Sequence, residues 1–440
     1  MIPDTIVAPA TPPGYGGISV VRVSGSLSTK LTKQLCKRES SFSHRRPTLS
    51  SVYNSAGNTL DDAVFTFFKA PFSYTGEDVL EISCHGNPII VDQIVSTICS
   101  FGARLADPGE FTKRAFLNGK LDLIQAESVS RLIESRSIEA ANINSKILSG
   151  SLSKKLNTIR GSVAGVLAEL EFEFDISENE SLIPNLIIKS HKVINNNILS
   201  CENLIASYAD GRLFNRGARV VIYGNPNVGK STLLNALLEK DRAITSHVPG
   251  TTRDTVEADI VLSGIPVTLI DTAGIRSASS GIESAGIERS YDEMKNADLL
   301  INVVTSEGGV AAKTQTNNTV IVFNKVDLAA PPKNLTDIVS VSALLGNGVA
   351  GLKRVITQKL ISKNTSHSDV VLTTRRQKVA IADCANSLKA SLKHLNEDSP
   401  ELEIVAFELR ESIDHIDALL GKTTVDDILH KVFSGFCVGK

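Results

Sequence analysis

Residues Gly224-Asn-Pro-Asn-Val-Gly-Lys-Ser231 follow a short apolar run, Arg219–Tyr223, and precede a helical one, Leu233–Leu238. The pattern G-x-x-x-x-G-K-S sits in the strand–loop–helix setting that a phosphate-binding loop requires. Its glycines let backbone N–H groups turn towards phosphate oxygens, and the positive end of the helix dipole adds to them. Lys230 is suited to bridging the β- and γ-phosphates and the Ser231 hydroxyl to ligating magnesium. A glycine-rich turn could imitate this pattern alone, but not its companions. After two expected strands, Val256–Leu262 and Val267–Ile270, comes Asp271-Thr-Ala-Gly274. An Asp at a strand end can hold a magnesium-bound water, and the Gly274 N–H can meet the γ-phosphate. Strand Val320–Phe323 then runs into Asn324-Lys-Val-Asp327, and strand Ile338–Val341 into Ser342-Ala343. The Asp327 carboxylate can accept hydrogen bonds from the N1–H and amino group of guanine; adenine offers no such pair of donors. Motifs in this order, each at the C-terminal end of a strand, fit a doubly wound sheet with GTP as ligand.

Outward from this segment the chain changes texture. Residues 1 to about 118 alternate short strands (Thr5–Ala8, Ile18–Val23, Ala63–Phe68, Val79–Cys84) with helical stretches at Leu27–Cys36 and Ile89–Phe101. From about 119 a helical period takes over. Ile143, Leu148, Leu152, Leu156, Ile159, Val163, Val166 and Leu170 predict one long amphipathic helix, and Ile188, His191, Ile194, Ile198, Ile205 and Tyr208 continue the habit. It stops near Arg212 and returns at Ile381–Leu395 and Leu402–Leu420. The economical arrangement is a helical bundle of 119–214 and 367–440 interrupted by a nucleotide-binding insert, 215–366, whose ends lie close together.

At 440 residues the chain is too long for a single core. With 46 Lys and Arg against 48 Asp and Glu, a net charge of −2, it has no global basic field, so RNA contact must come from a local patch or a partner. The six cysteines never form C-x-x-C, which removes the usual support for zinc or a redox pair. No apolar run approaches a bilayer span, and Met1–Pro9 has no secretory character, so a cytoplasmic protein without a membrane partner is expected.

Between the first two nucleotide motifs lies Gly250-Thr-Thr-Arg-Asp254, where the sequence resembles the translation-associated GTPases. The whole chain resembles the MnmE (TrmE) family of tRNA-modifying GTPases. The matching stretches are Thr5–Ala8, Ala10–Gly14, Gly16-Gly17, Arg22–Gly25, Thr75–Glu81, His85-Gly86, Pro108–Thr112, Arg114–Leu123, Gln125–Glu127 and Phe436–Lys440. Two places depart from the usual pattern: Asn87 follows His85-Gly86 where a second glycine is common, and the switch reads Ser246-His-Val-Pro-Gly250.

The resemblance implies an α/β plus all-α multidomain fold. A Ras-like doubly wound G domain is inserted into the helical bundle, and an α+β domain, 1–118, precedes it, binds a tetrahydrofolate derivative (5-formyl- or methylene-) and dimerises. It implies a homodimer that forms a heterotetramer with the FAD-dependent partner MnmG and adds an aminomethyl or carboxymethylaminomethyl group to the wobble uridine of certain tRNAs. Folate contacts map onto Arg22, Glu81, Lys120 and Lys440. Nucleotide contacts map onto Asn227, Val228, Gly229, Lys230, Ser231 and Thr232, the switch Ser246, His247, Val248, Pro249, Gly250, Thr251 and Thr252, then Asp271, Thr272, Ala273, Gly274, Asn324, Lys325, Asp327, Ser342 and Ala343. Mg2+ would take Ser231 and Thr252, and K+ would take Asn227, Ser246, Val248 and Thr251. Catalysis would fall to Glu283, Thr251 and Asn227, with Cys437 a possible catalytic thiol. Read without the family, several of these have plainer roles. Arg22 and Glu81 suit an exposed strand face, Glu283 a solvated loop, His85 a packed or capped position, and Cys437 a small apolar residue of the tail. Three other classes stay open: a ribosome-assembly GTPase of the Era or Der kind, a folate-dependent one-carbon transferase with a regulatory G domain, and an interaction scaffold.

Overall fold

The structure, a computed structural model, describes residues 4–38, 42–175, 183–238, 257–271, 291–306, 318–331, 338–361, 370–397, 400–423, 429 and 432–439. Two compact units divide the chain: residues 1–130 with 417–440, and residues 131–416. The sequence reading grouped 367–440 with the helices; here the last stretch, from Asp417, packs within the N-terminal unit.

The N-terminal unit is built on strands β1 (Ile6–Pro9), β2 (Gly16–Ser24), β3 (Thr48–Tyr53), β4 (Thr59–Phe68), β5 (Val79–Gly86) and β6 (Arg104–Leu105). They form one sheet in the order β3-β4-β5-β2-β1-β6, antiparallel except for the β1–β6 pair. Helices α1 (Ser28–Cys36) and α2 (Pro88–Ser100) share a core with Val7, Val21, Val23, Phe65 and Ile82. The two-residue period of β1 sends Ile6 and Ala8 the other way, where they meet Phe111 of α3 (Glu110–Leu117). Helix α4 (Leu123–Ile133) follows. The departure at Asn87 has a local use. Its side chain accepts from the Ile89 N–H at 2.9 Å and caps α2, with Pro88 in the first helical position.

The second unit opens with α5 (Ile138–Leu148), α6 (Ser151–Asp175) and α7 (Ile183–Arg216). The single long helix expected over 143–170 is therefore two. Gly150 stands at φ 91, a left-handed conformation that ends one helix and re-aims the next. The apolar spacing runs across the break, with Ile147 on one side of it and Leu152 and Leu156 on the other all buried. From Arg216 the chain enters a second sheet, with β7 (Ala218–Tyr223), α8 (Lys230–Leu238), β8 (Glu257–Leu262), β9 (Ile265–Asp271), β10 (Leu299–Val304), β11 (Thr319–Phe323), β12 (Ile338–Ser340) and α9 (Val349–Leu360). Its order is β12-β11-β10-β7-β9-β8, parallel except at the β8–β9 edge. β7 and β10 are nearly continuous apolar runs, as strands covered on both faces must be. The chain returns to helices in α10 (Arg375–Leu395), which begins with a Thr374–Gln377 capping box, and α11 (Leu402–Leu420). No helix among the described residues is long and apolar enough to cross a membrane.

Candidate functional site

Residues Gly224–Gly229 join the end of β7 to the start of α8. Gly224 passes close under β10: a Cβ there would stand 2.3 Å from the Val303 carbonyl oxygen. Gly229, at φ 90, would put a Cβ 2.5 Å from the Asn324 amide nitrogen. Only glycine allows these approaches, and Asn227 between them also adopts positive φ, 62°. Lys230 is buried, and its ammonium donates to the carbonyls of Gly224 (3.1 Å) and Asn225 (2.8 Å), so the charge stays folded over the loop. One residue on, the Ser231 hydroxyl donates to Asp271 Oδ2 at 2.6 Å. Asp271 ends β9 and is 3% exposed. A hydroxyl and a carboxylate meeting where α8 begins are a donor set that could serve a magnesium ion. Among the described residues no cluster of three acids, His or Cys could hold a metal by itself.

The base side is organised by Asn324, 2% exposed at the end of β11. Its N–H donates to Val304 O (2.9 Å), its side-chain amide donates to Val228 O (2.9 Å), and its amide oxygen accepts from Ala343 N (3.0 Å). One side chain thus ties the phosphate loop to the turn after β12. Lys325 stands at φ 63 and Val326 N donates to Val341 O (3.2 Å), which leaves the Asp327 carboxylate exposed at the rim. Ser342 is buried, its N–H donating to Asn347 O (2.9 Å). The structure therefore gathers Asn227, Val228, Gly229, Lys230, Ser231, Thr232, Asp271, Asn324, Lys325, Asp327, Ser342 and Ala343 along the C-terminal edge of the parallel strands. Ser246, His247, Val248, Pro249, Gly250, Thr251, Thr252, Thr272, Ala273, Gly274 and Glu283 lie outside the described residues.

A second polar cluster belongs to the N-terminal unit. Arg22 and Glu81 are register partners on β2 and β5, and Arg22 Nε donates to Glu81 Oε1 at 2.9 Å. The guanidinium also reaches Gly439 O (3.4 Å) in the C-terminal tail and stands 5.7 and 5.8 Å from the ring centres of Tyr74 and Phe111. Lys120 donates to Pro71 O at 3.0 Å, in the loop that carries Tyr74. Cys437 is exposed, and Lys440 lies outside the described residues. Arg22, Glu81 and the tail thus come together, with a guanidinium and a carboxylate beside aromatic rings. Such a set fits a flat heterocycle bearing both donors and acceptors. Tyr74, Phe111 and Thr112 were missed as its neighbours. Tyr74 and Thr112 bond each other at 2.8 Å, and burial pushes the Tyr74 hydroxyl above its ordinary pKa. The signal was their place in or beside quoted motifs. His85 is exposed, its ring bonded to Asp61 at 2.7 Å.

A phosphate loop on a mostly parallel sheet, with Asn324 and Asp327 at a neighbouring strand end, defines the class: a Ras-like G domain carried in a helical chain behind an α+β unit. Comparison with known families gives the rest. The family described as "GTP-binding protein TrmE N-terminus" matches residues 5–120, and the "MnmE helical domain" matches residues 123–437. Proteins named tRNA modification GTPase MnmE are 38% identical over all of both chains in Pseudothermotoga lettingae and 36% identical over all of both in Moorella thermoacetica. That of Aquifex aeolicus is 37% identical over 99% of this chain and all of its own. The chain belongs to the MnmE family of tRNA modification GTPases.

Proposed function

We propose that the chain hydrolyses GTP to drive modification of the wobble uridine of certain tRNAs in the cytoplasm. It would act as a homodimer with an FAD-dependent partner, MnmG, adding an aminomethyl or carboxymethylaminomethyl group. We assign 215–366 to the G domain, 119–214 with 367–440 to the helical domain, of which the stretch from Asp417 packs within the N-terminal unit, and 1–118 to a folate-binding and dimerising domain. The observation that carries the reading is the Asn324 linkage, which couples the phosphate loop at Val228 to the guanine-side turn at Ala343.

In this reading Asp327 selects the base, Lys230 holds the terminal phosphates and the loop N–H groups cradle them. Magnesium, held by Ser231 and Thr252 with Asp271 on its water, would neutralise charge between the phosphates. Potassium, held by Asn227 and the oxygens of Ser246, Val248 and Thr251, would offset charge that develops during cleavage. Glu283 would orient the attacking water. In the N-terminal unit Arg22 and Glu81, with Lys120 and Lys440, would hold a tetrahydrofolate derivative that carries the one-carbon unit, with Cys437 beside it. The reading is tested by analysing wobble-uridine nucleosides in cells lacking the protein. Unmodified or partly modified uridine is expected; a normal nucleoside profile would favour the ribosome-assembly alternative.

A further inference from the structure

On one face of the N-terminal sheet, α1 and the segment after it gather cations that, among the described residues, pair with no carboxylate. Lys30 and Lys33 lie on the outer side of α1, whose inner side buries Leu31, Leu35 and Cys36, and Lys37 caps its C-terminal end. Arg38 follows the helix, and Arg45 and Arg46 lie where the chain returns to β3. All six are exposed. The returning segment stays on the α1 side, because Phe42 stacks on Phe65 (5.1 Å) in the core that also takes Leu31 and Leu35.

Among the described residues the partners of these cations are neutral. Lys37 stands over the Tyr53 ring at 4.2 Å and donates to Gly57 O; Arg38 stands over Phe42 at 5.1 Å; Arg45 donates to Phe72 O. Among the described residues none of the six forms an ion pair, whereas Arg22, Lys69, Arg104 and Arg114 of the same unit all do. A solvated helix face ordinarily mixes signs, as do the Lys389–Glu202 and Arg410–Glu171 contacts between helices of the other unit. Helix α1 contains no acid, the segment from Lys37 to Pro47 sets four Lys and Arg against the single Glu39, and α2, on the same sheet face, contains no Lys or Arg. In a chain of net charge −2, this is a local concentration of positive charge rather than a share of a general one.

We propose that this surface binds RNA through its phosphate backbone, and that the RNA is the tRNA substrate. The inference rests on the reading of the protein as a tRNA-modifying GTPase. Flexible cations without paired planar acceptors suit phosphate contacts, which position an RNA without reading its sequence.

The test uses the full chain and a fluorescently labelled tRNA transcript, with affinity measured by anisotropy across a salt series. One variant carries Lys30→Glu, Lys33→Glu, Arg45→Glu and Arg46→Glu. A charge-matched control carries Lys154→Glu, Lys295→Glu, Lys359→Glu and Lys393→Glu, all exposed in the other unit. The first variant should lose about tenfold or more in affinity, and its salt slope should fall by roughly three to four, one phosphate per residue removed. The control should keep most of its affinity, and thermal unfolding followed by circular dichroism, unchanged in both, confirms folding. Equal losses in the two variants, an unaltered first variant, or a wild-type chain without affinity for tRNA would overturn the proposal. So would a first variant that loses binding to anionic phosphatidylserine vesicles but not to tRNA. Nucleoside analysis separates the two levels. A normal profile in cells lacking the protein defeats the functional reading, whereas full modification sustained by the first variant defeats only the surface.

Discussion

At the scale of single residues, selectivity and architecture fall to two neighbours. Asn324 is buried and spends its amide on the protein, on Val228 O and Ala343 N, so its role is to hold two loops in register. Asp327 is exposed and free to face a base. The motif was legible in the sequence, but this division of labour was not, because a motif names residue types and not the direction of their hydrogen bonds. It leads to a prediction. Asp327→Asn exchanges carboxylate acceptors for an amide, and should weaken GTP binding by up to about four orders of magnitude while xanthosine nucleotides gain. Calorimetric titration of both nucleotides checks it, and equal GTP affinity in the two proteins would remove Asp327 from the site. The fold should survive the change, since the bonds that organise the loops belong to Asn324.

At the scale of elements, the N-terminal unit shows what a sequence reveals and what it hides. Its central strands were legible because Val21, Val23, Leu80 and Ile82 alternate with polar residues. Edge strand β3 was not: Thr-Leu-Ser-Ser-Val-Tyr is paired on one side only, and of its residues Val52 alone is buried. β6 has two residues and α3 eight, too few to announce themselves or to be stable alone. Ion pairs hold them. Arg114 reaches Glu110 (3.0 Å), Glu77 (3.1 Å) and Asp4 (2.7 Å), and Arg104 bonds both Asp4 and Glu110. Burial pushes both carboxyls up, but the two guanidiniums outweigh it and hold Asp4 and Glu110 below their ordinary values of 3.8 and 4.5. A depressed carboxylate stabilises the fold above its unfolded pKa, and the gain is lost as pH falls through the folded one. The network is therefore fully present at neutral pH and fades below those values. Arg114→Met should cost about 3 kcal/mol at neutral pH, since it breaks the most buried pair of the network, Arg114 with Glu110. It should also move the acid unfolding midpoint to higher pH. Circular dichroism across pH measures both; an unchanged midpoint would show that Arg104 alone holds the acids.

At the scale of the whole molecule, the order of the parts was legible because the period of the apolar residues changes where the architecture does. The return of the tail from Asp417 to the N-terminal unit was hidden, since a contact between residues 22 and 439 leaves no local trace. The Arg22 cluster lies in one unit and the phosphate loop in the other, so losses at the two should be separable. Arg22→Ala or removal of Lys440 should abolish binding of 5-formyl-tetrahydrofolate and leave GTP hydrolysis nearly intact, as titration of both ligands on one variant would show. The last expectation concerns hydrolysis itself. In Ras-like enzymes a Gln directly after D-x-x-G orients the attacking water, and an arginine finger offsets the charge of the transition state. Here Ile275 follows Gly274 and can do neither. Asn227 is exposed on the phosphate loop at positive φ, three residues before Lys230, a position from which its side-chain oxygen can serve a cation. With the oxygens of Ser246, Val248 and Thr251, it would hold potassium where the finger would otherwise reach. In this reading cleavage needs two G domains face to face, so turnover should rise with protein concentration until the dimer forms. A fixed cation beside developing negative charge contributes a few kcal/mol. Exchange of potassium for sodium at constant ionic strength should therefore slow turnover about tenfold or more. Asn227→Ala should be slow in both salts, with the difference between them gone. A wild-type rate indifferent to the cation would sink the mechanism and send the search for a substitute finger to side chains of the partner G domain.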